Sequence, residues 1–437
     1  HGAHPRPGAG WPPPNRPPFR ILFFVFYKIH IIFARNHTGM EQLQRIFRLL
    51  IARTDTTFVR YLYSRINWNN RLIAIVGSRG VGKTTLLLQH IKRNFNTDTN
   101  EVLYASLDNL YFANHSLFEF ADEFRKNGGK ILFLDEVHKY ANWSREIKNI
   151  YDSFSDLKIV ITGSSMLNIF HSGHDLSRRA IKYTLAGMSF REFLEYEHGV
   201  KIEPLDLPTI LEDHSRIASE LNGLTTPVGV YNEYLKYGYF PYYKEDREGY
   251  YQRVAETVNT IMEVDLPANI DIEFSTIDKI RKLFSIIADS VPFTPNISQL
   301  ATQVGTTRPS LLNYLDALEK AHAVLLLDKE AKGIKRLVKP EKIYLGNTNY
   351  AYAFSEKGVD RGNLRETFFY SQLAVTNKVT YSDKTDFLVD GKYSFEVGGK
   401  NKTQKQIKDT QDAYVVKDDI EYGYRNSIPL WMFGLLY

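Results

Sequence analysis

Cysteine is absent from all 437 residues. That excludes a disulfide scaffold and any thiolate metal site, and it fits a reducing compartment, so a cytoplasmic setting is expected. Acidic residues are absent from positions 1–39, where Arg6, Arg16, Arg20, Lys28 and Arg35 supply the whole net charge of +5. With those five removed from the 55 Lys and Arg, the remainder balances 50 against 50 Asp and Glu. The basic surplus that argues for a nucleic-acid partner is therefore missing from the body of the chain. A long apolar run is lacking too. Ile21–Ala34 is broken by Lys28 and His30 and falls short of the roughly 20 residues of a membrane span, so no membrane partner is expected. Seven of the 17 prolines lie in the first 18 positions. Residues 1–39 read as a non-domain leader, with Met40 expected as the natural start.

What is present is organised around Arg71–Leu88, RLIAIVGSRGVGKTTLLL. An apolar run, Leu72–Val76, has the length of a buried strand. It breaks into Gly77, Ser78, Arg79, Gly80, Val81, Gly82, Lys83, Thr84 and Thr85, and a Leu-rich helical pattern follows. This is G-x-x-x-x-G-K-[ST] in the strand–loop–helix setting of a phosphate-binding loop. Glycines let the backbone turn and approach a ligand closely. Successive N–H groups at the positive end of the following helix suit phosphate oxygens. Lys83 is expected to reach the β- and γ-phosphates, and Thr84 to hold Mg²⁺ through its hydroxyl.

About fifty residues on, Lys130–Val137 (KILFLDEV) runs four apolar residues into Asp135 and Glu136. A carboxylate ending a buried strand beside the loop can hold Mg²⁺, and its neighbour can take a proton from an attacking water. Asp135 is the expected Mg²⁺ residue and Glu136 the expected general base. A further strand, Lys158–Thr162, ends in Gly163-Ser164-Ser165. Ser164 is expected either near the γ-phosphate or as a helix N-cap. Arg178 and Arg179 precede a strand at Ile181–Leu185. A guanidinium there suits transferring phosphoryl charge, and equally suits a solvated face.

Four segments together resemble one family: Gly77–Thr85, Leu134–Trp143 (LDEVHKYANW), Ile161–Ser165 (ITGSS) and Gly187–Tyr196 (GMSFREFLEY). It is the prokaryotic AAA+-like P-loop ATPases that carry a C-terminal domain with a PD-(D/E)XK nuclease-like core. The resemblance implies an α/β additional-strand P-loop NTPase domain over 40–199, with the Asp135 strand separated from the loop strand by the Ser164 strand. It implies ATP and Mg²⁺ as ligands, with hydrolysis by Glu136, Lys83, Ser164 and Arg179. Arg179 is the better match to the family's nucleotide-contacting arginine, acting in its own subunit or across a homo-oligomer interface. It also implies a helical lid or connector at 200–275. No N/T-K-x-D signature for guanine is found; NTNY at Asn347 lacks the Lys and Asp.

The connector region contains Tyr234–Tyr243 (YLKYGYFPYY), read as a packed seam between domains ahead of a base-stacking surface. Within 276–345, Ile297, Leu300, Ala301 and Val304 give one helix face, and Gly305 a turn. Leu311, Leu312, Leu315 and Leu318 give a second face, followed by an apolar strand at Ala323–Leu327 and a basic hairpin at Lys332–Lys339. This is the order of a winged helix, in which Arg308 and Asn313 could face a DNA groove; such modules also contact proteins. In 346–437, Glu366, Asp386 and Glu396 follow the residue order of the nuclease-like core. The lysine expected two residues after the second acid is missing, and Lys400 stands nearest to it in sequence. Two carboxylates on neighbouring strands can hold a divalent metal, but the reading preferred is a fold kept for binding with its cleavage chemistry lost. Lys402, Lys405 and Lys408 give this end a locally basic surface.

Overall fold

A computed structural model of the chain describes residues 2, 39–164, 176–267, 274–289, 294–329, 339–355, 358–408 and 410–437. Nearly all of the leader, Ser165 and residues 332–338 of the basic hairpin lie outside the described residues.

The amphipathic helix α1 (Gly39–Arg53) buries Met40, Leu43, Phe47 and Ile51. Five parallel strands follow: β1 (Leu72–Gly77), β2 (Val102–Ser106), β3 (Ile131–Asp135), β4 (Lys158–Ser164) and β5 (Ile181–Thr184). Their order is β2-β3-β4-β1-β5. The strand ending in Asp135 is thus separated from the loop strand by the strand ending in Ser164, as the resemblance implies. The strands β1 to β4 are continuous apolar runs because helices cover both faces, which is what a parallel sheet requires. Those helices include α2 (Lys83–Asn94), α3 (Leu117–Lys126) and α4 (Trp143–Ser153).

After β5 comes α5 (Phe190–His198), the SFREFL segment. Ser189 and Glu192 form a reciprocal capping box that fixes its start. The same Glu192 takes a two-pronged ion pair from Arg60, at 3.0 and 3.1 Å, with both side chains buried. Arg60 also donates to the carbonyls of Val81 and Ala186. One guanidinium therefore joins the phosphate loop, the end of β5 and α5. Ser189 and Arg191 donate to the carbonyl oxygen of Tyr437, at 2.6 and 2.8 Å. The specificity of the SFREFL segment has this physical basis: its polar side chains bind backbone at Tyr61 and Tyr437, on either side of it and far away in the chain.

The connector holds α6 (Leu207–Asn222), α7 (Pro227–Tyr237) and α8 (Tyr250–Thr260), which ends in a π-helical turn, Ile261–Asp265. Tyr234, Tyr239, Phe240 and Tyr243 are buried. Tyr234 donates to Met188 O at 2.7 Å and Tyr243 to Glu197 Oε2 at 2.5 Å. The aromatic cluster is a packed seam against α5. Helices α9 (Phe274–Ala288), α10 (Ile297–Val304) and α11 (Arg308–Lys320) follow, with Gly305 at φ +77° between the last two. An antiparallel pair, β6 (Val324–Leu327) and β7 (Lys342–Leu345), comes next. Asn347 caps α12 (Thr348–Phe354), accepting from Tyr350 N at 3.1 Å. The fully buried Asn349 bonds to Tyr239 N and Leu235 O, each at 2.9 Å. The NTNY segment is structural.

The C-terminal unit is α13 (Arg361–Leu373) on a second sheet of order β12-β11-β10-β9-β8. Its strands are β8 (Val379–Thr380), β9 (Phe387–Val389), β10 (Tyr393–Gly398), β11 (Ala413–Lys417) and β12 (Ser427–Pro429). The first three pair antiparallel and the last three parallel.

Candidate active site

The loop from Gly77 to Thr85 joins β1 to α2. A side chain at Gly77 would put Cβ 2.3 Å from Leu185 O, and one at Gly80, where φ is +82°, would meet the Tyr242 ring at 2.7 Å. Both positions are therefore closed to any larger residue. Val81 is buried, Gly82 has φ +97°, and Thr85 is exposed on the first turn of α2. Lys83 is buried and donates to Gly77 O at 2.9 Å and Ser78 O at 3.0 Å. Burial pulls its pKa down, against the nearby Glu136 and Asp135 charges. Its ammonium rests on neutral carbonyls of the loop itself.

Asp135, at the end of β3, is buried at 2 % exposure and surrounded by hydroxyls. Thr84 Oγ1 donates to Oδ2 at 2.6 Å and Tyr104 OH to the same oxygen at 2.7 Å. Thr162 Oγ1 donates to Oδ1. The pairing of Thr84 with Asp135 gives a hydroxyl and a carboxylate side by side, hard oxygen donors of the kind Mg²⁺ takes. The residues present fit that ion. Glu136 follows at φ 53°, a left-handed conformation that is uncommon for a non-glycine residue. Its N–H is held by Asp135 Oδ1 at 3.2 Å and Thr162 Oγ1 at 3.1 Å. This turn swings the Glu136 side chain out of the strand direction. Ser164 is buried on the strand position paired with Gly77, beside the loop.

The loop is also gripped from the C-terminal half. Arg79 donates to Asp265 of the π-helical turn at 2.8 Å. Ser78 Oγ donates to Ala321 O at 3.3 Å, just after α11. Residues that sequence reasoning missed here are Tyr104, Thr162, His138, Asp265 and Arg60. Thr162 had a signal: it lies two residues before Ser164 and so on the same face of β4.

Arg179 lies elsewhere. Ile181 pairs with Ile73, whereas Gly77 ends β1 four residues further on, about 13 Å at the usual rise. Arg179 is thus at the opposite end of the sheet from Lys83 of the same chain. It makes a two-pronged pair with Asp152 of α4, at 2.8 and 3.1 Å. Those hydrogen bonds hold Asp152 below the ordinary carboxylate range.

In the C-terminal unit, Glu366 and Asp386 are brought together, but around a lysine. Lys342 Nζ of β7 lies 3.1 Å from Glu366 Oε2 and 3.1 Å from Asp386 Oδ1. Tyr344 OH donates to Glu366 Oε2 at 2.7 Å, and Val397 N to Asp386 Oδ2 at 3.0 Å. Burial and Asp386 hold the Glu366 carboxyl above its usual range, with Lys342 opposing. The buried Glu396 is met at 2.6 Å by Lys402, the residue that reaches it in place of Lys400. Lys402 is half-buried, and its charge is spent on Glu396 within the basic stretch read as surface. Lys400 lines an open depression of about 470 Å³ with Arg365, Asn401 and Asp419. Among the described residues no three acidic or histidine side chains form a metal-holding group. With its carboxylates already neutralised by ammonium groups, this donor set does not fit a divalent metal.

The fold and the loop geometry define an AAA+-like P-loop ATPase core. Residues 69–194 match the family described as AAA domain, and residues 229–359 match a domain of unknown function. The chain is an ATP hydrolase of this class. Two relatives come from Methanocaldococcus jannaschii. The uncharacterized protein MJ1637 is 28% identical, covering 92% of this chain and 95% of its own. The uncharacterized protein MJ1544 is 26% identical, covering 77% and 74%. A solved RuvB variant of Thermotoga maritima is 16% identical over 73% of this chain and 96% of that one, with a TM-score of 0.28. No helix among the described residues is long and apolar enough to cross a membrane.

Proposed function

We propose that this protein hydrolyses ATP with Mg²⁺ and uses the cycle to move a C-terminal pair of binding modules on DNA. One observation carries the reading: the phosphate loop is tied directly to the C-terminal half, through Arg79 to Asp265 and Ser78 to Ala321. A triphosphate entering the loop must compete with those contacts, so nucleotide state and module position are coupled.

In this reading Lys83 leaves the Gly77 and Ser78 carbonyls for the phosphates. Thr84 and Asp135 hold Mg²⁺, which when bound neutralises charge building on the phosphate oxygens. Glu136 orients the attacking water and takes its proton. Ser164, beside Gly77, donates toward the transferred phosphoryl group. Arg179 serves the nucleotide of a neighbouring copy in a homo-oligomer, because its own lies at the other end of the sheet.

The helices α10 and α11 with the β6–β7 ribbon act as a winged helix, presenting Arg308 and Asn313, both exposed. The unit from α13 to β12 acts as a nuclease-like fold that binds without cutting. The rival reading, a regulatory ATPase whose C-terminal modules contact proteins, is favoured by the charge balance of residues 40–437. Turnover measured with and without duplex or branched DNA separates the two. Salt-sensitive stimulation by DNA, lost in Arg308→Ala, is expected; turnover indifferent to DNA at low salt would favour the protein-contact reading.

A further inference from the structure

His138 has no part in the chemistry assigned so far, yet it is built into the site. It follows Glu136 by two residues, in the short helical turn Val137–Lys139. Its side chain is 5 % exposed, with Nε2 3.4 Å from Glu136 Oε2 and 3.8 Å from Asp265 Oδ1. Neither ring nitrogen completes a hydrogen bond among the described residues. A buried polar ring left in this way, aimed between two carboxylates, needs a reason. Burial favours the neutral ring, against Glu136 and Asp265, and a neutral imidazole has one N–H to give.

We infer that His138 is a positioning residue whose single N–H is shared between Glu136 and Asp265. Given to Glu136, it holds the carboxylate in the orientation from which it meets the attacking water. Given to Asp265, it leaves Glu136 without that support. Asp265 belongs to the connector and also holds Arg79 of the phosphate loop. A shift of the connector therefore changes which carboxylate takes the N–H, and the base is set by the position of the C-terminal half. The inference rests on Glu136 being the base.

The test uses the full chain, with ATP turnover and nucleotide affinity read separately. His138→Met is expected to lower kcat roughly tenfold, a fraction of the 10²–10⁴ that general base catalysis supplies, with ATP affinity held within about twofold. His138→Gln, whose amide nitrogen can stand near the place of Nε2, is expected to recover most of the loss. In a Glu136→Gln background His138→Met is expected to have no further effect, since it acts through the carboxylate. Should His138→Met fail to fold, His138→Asn, which withdraws the donor from Glu136, carries the same test. Wild-type turnover in the variant that folds, or an equal loss in the Glu136→Gln background, overturns the inference. If Glu136→Gln itself turns over at the wild-type rate, the base assignment fails instead.

Discussion

Lys83 and Lys342 both sit out of solvent close to carboxylates, and they differ in what holds them. Lys83 rests on two backbone carbonyls, and the carboxylate of Asp135 beside it is satisfied by hydroxyls. Lys342 is spent on Glu366 and Asp386. A neutral carbonyl gives an ammonium a hydrogen bond but no counter-charge, whereas two carboxylates add the attraction of opposite charges to theirs. The first arrangement keeps a cation and an anion available to an incoming ligand. The second uses each to cancel the other. Similar residue types thus give a reactive centre at one end of the chain and an ionic clasp at the other.

The largest break in that contrast is Lys83→Ala, which should abolish ATP binding in a fluorescent-nucleotide titration, since it removes the loop cation proposed to meet the phosphates. Glu136→Gln comes next. It should bind ATP like the wild type and turn over on the order of 10²–10³ more slowly, because the amide cannot accept the water's proton. Arg179 sharpens the comparison, being a cation already paired with a carboxylate. If it still serves a neighbour's nucleotide, Arg179→Ala should lower turnover roughly tenfold or more with little change in affinity. Specific activity should then rise with protein concentration in the wild type only. Unchanged turnover would make Arg179 a structural partner of Asp152.

At the other centre, the wild type should cut duplex DNA little with Mg²⁺ or Mn²⁺. Lys342→Met should cost about 1–3 kcal/mol in a denaturant melt by stranding half-buried carboxylates. Mn²⁺ should restore part of that loss in the variant and not in the wild type; no difference in Mn²⁺ response would mean the acids cannot accept a metal even when vacated.

The smallest effect concerns acid. His90 of α2, stacked on Trp68 at 3.5 Å, is pushed down to about 4 by burial and then by Lys158. Its folded pKa lies below its unfolded one, so its contribution is present above about 6.5 and is lost as pH falls toward 4. Glu366 is shifted the other way, and acid favours it. His90→Gln should flatten the acid limb of a stability-against-pH curve.

The nucleotide centre was legible because its motif fixes a backbone shape: Gly77–Thr85 and Leu134–Glu136 identify strand, loop and helix before any contact is known. The sheet order followed from the resemblance those residues carry. What was not legible arrived from afar. Asp265 is brought in by a π-helical turn about 130 residues after Glu136, and no spacing rule predicts it. Lys402 stood in a basic stretch that read as surface and Lys342 stood outside every motif, while the fold turned each onto a carboxylate. Periodicity reports which face of an element is apolar; it does not report which distant charge a polar residue will meet.

The bonds from Ser189 and Arg191 to the Tyr437 carbonyl span 248 and 246 residues of chain. Contacts so distant in sequence are made slowly, since a very large loop must close before they give anything back. On the ribosome, α5 emerges long before its partner is synthesised. Until the Tyr437 segment has been made, Ser189 and Arg191 lack that acceptor, while Glu192 of the same helix already has Arg60. One helix is thus held early by a residue made before it and late by a segment roughly 250 residues on, so its packing is completed in two stages.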